Sequence, residues 1–137
     1  MIYNSSSQQQ TIKFAQQFAR QLKGGDVVVL RGQLGAGKTH FAKGVALALG
    51  ITDTVTSPTF AIHNIYYGRL TLHHFDFYRL TEREGEYLGF EEFIGDSSSI
   101  TLIEWADNVP SLIPGRHITV DITITGDTSR HITVNYV

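Results

Sequence analysis

A chain of 137 residues with net charge -2, 42% hydrophobic and 18% charged residues has the composition of one globular domain, residues 1–137, and excludes general disorder. It has no cysteine, which excludes a disulfide scaffold, a thiolate nucleophile and a cysteine-ligated zinc or iron–sulfur site. The near-neutral charge argues against a dominant electrostatic grip on nucleic acid, no stretch approaches the roughly 20 apolar residues of a membrane span, and MIYNSSSQQQ lacks a signal-peptide pattern, so a soluble cytoplasmic protein is expected.

Ile12, Ala15, Phe18, Ala19 and Leu22 recur at helical spacing ahead of Gly24-Gly25, predicting an amphipathic helix over Thr11 to Lys23. The continuous run Val27 to Leu30 predicts a strand, Asp26 to Arg31, buried on both faces as in a parallel sheet. After a Gly-rich turn, Phe41, Val45, Ala48 and Leu49 predict a second helix from Lys38 to Gly50. Thr59 to Tyr67 and Leu70 to Phe77 suit two strands joined at Gly68-Arg69. Thr81 followed by Glu84 fits a capping box, so a helix should start there. Ser99 to Glu104 reads as a short apolar strand. Ile118, Val120, Ile122 and Ile124, then Ile132, Val134 and Tyr136, alternate with polar residues around Gly126-Asp127 and predict a closing hairpin. The string RHITV occurs at Arg116 and again at Arg130, which shared β patterning explains.

Charge is uneven. Met1 to Gly50 carries Lys13, Arg20, Lys23, Arg31, Lys38 and Lys43 against Asp26 alone, a balance that suits a polyphosphate ligand. Glu82, Glu84, Glu86, Glu91 and Glu92 form the densest acidic stretch, either a solvated helix face or a docking surface for a basic partner.

Gly32-Gln33-Leu34-Gly35-Ala36-Gly37-Lys38-Thr39 matches G-x-x-x-x-G-K-[ST], the phosphate loop, between a predicted buried strand and a predicted helix. Glycines let consecutive N–H groups curl around an anion, and the helix points its positive end at phosphate. The Lys38 ammonium suits the β- and γ-phosphates, and the Thr39 hydroxyl is a hard oxygen donor for Mg²⁺. Gln33, Leu34, Gly35, Ala36, Gly37, Lys38, Thr39 and His40 are therefore the candidate nucleotide-binding residues. Neither N-K-x-D nor D-x-x-G, the guanine-nucleotide motifs, is present, which favours ATP.

Such a loop needs a carboxylate at a neighbouring strand end. Glu104 closes an apolar strand, and Asp76 lies in His73-His74-Phe75-Asp76-Phe77-Tyr78-Arg79. Strand alternation puts His74 and Asp76 on one face and turns His73 to the other, so the two histidines cannot share one metal ion. Thr59, in Ser57-Pro58-Thr59-Phe60, could offer its hydroxyl to Mg²⁺ or the γ-phosphate, or bond its own backbone. Trp105 packs a core or rim, or shields the site beside Glu104.

GQLGAGKTHF, SPTF, HHFDFYRL and LIEW, in this order in a short chain, resemble the bacterial threonylcarbamoyladenosine ATPase family, from Thr11 to the last hairpin. Gln33 departs from the family, which usually has an acidic residue there. The resemblance implies an α/β P-loop NTPase-like three-layer sandwich, with a mixed sheet and a C-terminal antiparallel hairpin. It implies a Mg-dependent ATPase, weak alone and stimulated by partners, that supports threonylcarbamoylation of adenosine 37 in tRNAs reading codons that begin with A. On that pattern the chain acts on the transferase complex of TsaD and TsaB, transfers no group itself and holds no tRNA stably. Carried over residue by residue, Thr39 and Glu104 match the Mg²⁺ ligands and Lys38 the phosphate-binding lysine. Thr59, Asp76 and Trp105 fall on positions linked to activity, and Gln9 to Thr11 would lie beside the adenine. A small-molecule phosphotransferase and a nucleotide-dependent binding module are the competing readings.

Overall fold

The computed structural model describes residues 1–137. Its frame is one seven-stranded sheet in the order β1-β7-β6-β2-β5-β4-β3. The strands are β1 (Ile2–Ser5), β2 (Val27–Arg31), β3 (His63–Tyr66), β4 (Thr71–Asp76), β5 (Ser99–Glu104), β6 (Ile118–Ile124) and β7 (Arg130–Tyr136). The helices are α1 (Gln8–Ala19), α2 (Lys38–Ala48) and α3 (Glu82–Tyr87). β2 runs parallel to both β5 and β6, and β4 runs parallel to β5, so the centre of the sheet is parallel. β3, β7 and β1 add antiparallel pairings outside it, which makes the sheet mixed.

Valines with little helix preference and no intervening polar residue make β2 the central strand. Val28 and Leu30 face one side and Val27 and Val29 the other, as strand alternation requires. The first side holds the larger core, 24 buried residues with α1 and α2 across it. On the second side, eight buried residues, among them Phe75, Phe77 and Ile103, lie under α3 and three single-turn 3₁₀ segments. This gives the expected three-layer sandwich, with a thin third layer. No helix is long and apolar enough to cross a membrane.

Register places the functional end of the sheet. Asp76 on β4 pairs with Glu104 on β5, and Glu104 pairs with Leu30 on β2. Three parallel strands therefore deliver their C-terminal ends to one crevice, where ligands of open α/β sheets bind.

Three sequence expectations need correction, and one element is unexpected. α1 begins at Gln8 rather than Thr11, because the Ser7 hydroxyl accepts from the Gln10 N–H at 3.1 Å and caps the helix earlier than its apolar stripe begins. It ends at Ala19, short of Lys23. The segment from Thr59 is a turn rather than strand until His63: the Ile62 N–H donates to Pro58 O at 2.6 Å, and Ile62 adopts φ 69°. β1, whose four residues show no clean alternation, is an element the sequence pattern does not announce; it pairs antiparallel with β7.

Candidate functional site

The loop Gly32 to Thr39 leaves β2 and enters α2. Gly35 and Gly37 have φ 81° and 106°, left-handed values that a side chain would strain. Gly37 is the residue before α2, so the loop ends on the helix N-terminus, with its unpaired N–H groups and positive dipole end. Such a loop can accept an anion.

A cleft of about 720 Å³ opens over it. The phosphate-loop residues from Gln33 to His40, Ala36 excepted, line this cleft together with Ser57, Thr59, Asp76, Tyr78, Glu104 and Trp105, and with Gln8, Thr11 and Arg130. The candidate residues from four separate sequence blocks thus meet in one place.

Lys38 is buried, and its Nζ lies 3.6 Å from Glu104 Oε1 and 5.1 Å from the centre of the Trp105 ring. The other carboxylate oxygen, Oε2, is 2.6 Å from His74 Nε2. A carboxylate only accepts, so Nε2 carries the proton and His74 is the donor. His74 Nδ1 is buried without a partner. Glu104 is thereby gripped by an ammonium on the cleft side and an imidazole on the sheet side.

Asp76 is held as firmly. The Thr59 hydroxyl donates to its Oδ2 at 3.0 Å, and the Tyr78 N–H donates to its Oδ1 at 2.9 Å. Ser57 Oγ lies 2.7 Å from Thr59 Oγ1; since the Thr59 proton is committed to Asp76, Ser57 is the donor in that pair. Arg79 does not pair with Asp76 but lies over the Phe60 ring, 4.7 Å from its centre. Trp105 has φ 58°, a left-handed conformation unusual for a bulky residue, and packs 4.9 Å from Tyr78. His40 is pushed below the ordinary histidine value, first by burial and then by the charges of Lys43 and Arg130.

Two candidates sit differently from expectation. Gln9 is exposed and does not line the cleft; Gln8 and Thr11 do, being three apart on one helix face, while Gln9 is turned about 100° from Gln8. Ala36 belongs to the loop, but its side chain is buried in the core under α1 and α2, so it can offer a ligand only backbone. His73 pairs with His63 rather than His74, Nδ1 to Nε2 at 2.9 Å, so the adjacent histidines do face apart. Sequence reasoning missed Gln8, Ser57, Tyr78 and Arg130 as cleft residues. Arg130 is about 90 positions from the loop it touches, and nothing in local spacing announces that contact.

Thr39 and Glu104 supply one hydroxyl and one carboxylate, hard oxygen donors of the kind Mg²⁺ accepts. Nowhere do three His, Asp or Glu side chains converge as a ready metal cage. An ion at this site would need further oxygens from water or a ligand.

A parallel-centred α/β sheet with a glycine loop at the strand ends defines an architecture of the P-loop class. More narrowly, residues 5–132 match the family model described as threonylcarbamoyl adenosine biosynthesis protein TsaE, and the chain belongs to that family. The tRNA threonylcarbamoyladenosine biosynthesis protein TsaE of Treponema pallidum is 43% identical over 131 residues, covering 95% of this chain and 96% of the relative. Its Bacillus subtilis counterpart is 46% identical over 112 residues, 81% of this chain and 70% of the relative. A solved structure described as the crystal structure of Bacillus subtilus YdiB superposes with TM-score 0.86 at 36% identity, covering 100% of this chain and 85% of that one.

Proposed function

We propose that the chain binds ATP with Mg²⁺ and hydrolyses it, and that this cycle serves the threonylcarbamoylation of tRNA adenosine 37 by acting on the TsaD and TsaB transferase complex. The observation that carries the reading is the meeting of the Gly32–Thr39 loop, Lys38, Glu104 and the Thr59–Asp76 pair in one cleft. The loop amides and Lys38 bind the phosphates. Thr39 and Glu104 would hold Mg²⁺, which supplies charge neutralisation at the transferring phosphoryl group. Lys38 is within reach of both Glu104 and the loop, so it can exchange its carboxylate partner for phosphate oxygens. His74 and Lys38 orient Glu104, and the Ser57–Thr59–Asp76 chain orients a second carboxylate in the same cleft. Asp76 is the base that orders the attacking water, since its two oxygens stay fixed by Thr59 and Tyr78 whatever Lys38 does. Trp105 and Tyr78, packed against each other, line the cleft that holds the pair. No group is transferred by this chain, and no stable tRNA complex is expected from a net charge of -2.

The test is ATP turnover by the chain alone and with both partner proteins. Slow turnover that rises when the partners are added is the expected result. Turnover that instead requires a small hydroxyl acceptor would identify a phosphotransferase, and tight ATP binding without hydrolysis in either condition would identify a binding module.

A further inference from the structure

Arg130 opens β7, at the far side of β6 from the phosphate loop strand, yet its guanidinium reaches the loop. Nε donates to Ala36 O at 2.9 Å and Nη2 to Gly35 O at 3.2 Å. Nη1 donates to Gly126 O at 3.0 Å and to Ser129 O at 2.7 Å. Two of these carbonyls belong to the phosphate loop and two to the hairpin turn. Arg130 takes part in none of the ion pairs of the fold, so its charge is not spent on a carboxylate. A guanidinium has five N–H donors, four of which are engaged here, and the group itself lines the cleft.

Peptide planarity gives the contact its consequence. In a trans peptide the C=O and the following N–H point in opposite directions. Pinning Ala36 O against Arg130 therefore turns the Gly37 N–H away from the hairpin, and Gly37 lines the cleft. Pinning Gly35 O does the same for the Ala36 N–H, which donates to Gln33 O at 3.0 Å and tightens the turn. Gly35 and Gly37 are the loop's least restrained backbone positions, with left-handed φ values and open space where a Cβ would stand. An external clamp is what such a loop lacks within its own sequence.

We propose that Arg130 is a positioning residue that fixes the phosphate loop in its anion-accepting shape, making the C-terminal hairpin a structural part of nucleoside di- and triphosphate binding. The proposal rests on the reading that the loop takes phosphate. Because the clamp acts on the loop, the part of the ligand it serves is shared by ADP and ATP, and both should lose affinity together. A lysine keeps the charge but cannot span four carbonyls, so it should not substitute.

Calorimetric titration of ADP and ATP into the wild-type chain, Arg130→Met and Arg130→Lys tests this, with ¹⁵N relaxation of the nucleotide-free proteins as a second readout. Expected is a loss of roughly tenfold or more for both nucleotides in both variants, as for loss of hydrogen bonds to a charged group. Amides 33–37 should gain motion in Arg130→Met while Val28 and Leu102 do not. Wild-type affinity in Arg130→Met, full recovery in Arg130→Lys, or a loss confined to ATP would each overturn the proposal. If the wild-type chain bound neither nucleotide, the ATP reading would fall, and unchanged loop relaxation in Arg130→Met would still refute the clamp by itself.

Discussion

Glu104 and Asp76 face each other across neighbouring strands in direct register, yet their surroundings assign them different work. Glu104 places one oxygen 3.6 Å from the Lys38 ammonium, the group proposed to meet phosphate, whereas Asp76 receives only neutral donors from Thr59 and Tyr78. Lys38→Ala removes the ammonium at the loop and should reduce ATP affinity by at least about tenfold, read by titration of the nucleotide; affinity near that of the wild type would contradict the site. Glu104→Gln keeps the shape and the acceptor toward His74, so ATP should still bind within a few-fold of wild type while Mg²⁺-dependent hydrolysis is lost. Asp76→Asn should also leave binding nearly intact and slow turnover, roughly a hundredfold on the scale of a lost general base. Hydrolysis that survives in Glu104→Gln but disappears in Asp76→Asn would move the metal-holding role away from Glu104. Glu104 was legible in the sequence as the end of an apolar strand and Asp76 as the one acid of the strand predicted over Leu70 to Phe77, whereas the Thr59–Asp76 bond was not, since it joins a turn to a strand 17 positions later.

At the scale of elements, α1 and α2 meet at Gly44. A Cβ added there would run into the Ile12 carbonyl oxygen and the Ala15 side chain, backbone and packed core rather than a flexible tip. Phe14 and Phe18 of α1 close around Phe41 of α2, with ring centres 6.5 and 5.7 Å apart, so the helices cannot slide to make room. Gly44→Ala should therefore destabilise the fold by about 1–3 kcal/mol, despite alanine's better helix propensity, as overpacking does. A urea midpoint equal to or above wild type would show that the helices do yield. Gly44 reads from the sequence as an ordinary weak spot in a helix, because the close approach that needs it comes from another element. The capping box at Thr81 was legible because both partners lie within one turn: Thr81 accepts from the Glu84 N–H at 3.2 Å and Glu84 Oε1 from the Thr81 N–H at 3.0 Å. The acidic stretch also has local work, with Glu82 and Glu86 accepting from Ser111 at 3.2 Å. That contact ties α3 to the 3₁₀ turn Pro110–Leu112 and was invisible to a reading by local charge.

For the molecule as a whole, periodicity exposed the parallel centre and the hairpin, while the pairing of β1 with β7 and the reach of Arg130 depend on closure of the whole sheet. The same closure brings a partly buried titrating pair together beside Phe75. His63 on β3 stacks 4.1 Å from Phe75 and sits against Phe90 and Phe93, with its Nε2 2.9 Å from His73 Nδ1. One ring must donate and the other accept, so this contact tolerates one shared proton and not two full imidazolium ions. His63 is pushed down to about 4, first by burial and then by the charges of His73 and His74. His73 is also lowered by burial, against an opposing pull from Asp96. A base whose folded value lies below its unfolded value of about 6.5 takes up protons on unfolding, so stability rises with pH through that window. The contribution of the pair is complete above about pH 6.5 and drains away as pH falls toward 4. Glu84 and Asp96 are lowered as well, by hydrogen bonds from Thr81 and Ser98, but an acid with a depressed value loses its contribution only below its own ordinary range, near pH 4.5 and 3.8. The interval from pH 6.5 to about 5 thus isolates the histidines, to which the lowered His40 adds, so the difference made by a His63 substitution reports the pair. Urea midpoints measured across it by circular dichroism should fall steadily in the wild-type chain. In His63→Phe, where a ring of similar size joins the Phe75, Phe90 and Phe93 cluster, the slope should shrink by about one bound proton. A wild-type midpoint that is flat between pH 7 and 5, or a His63→Phe slope as steep as the wild type, would show that the pair carries no such linkage.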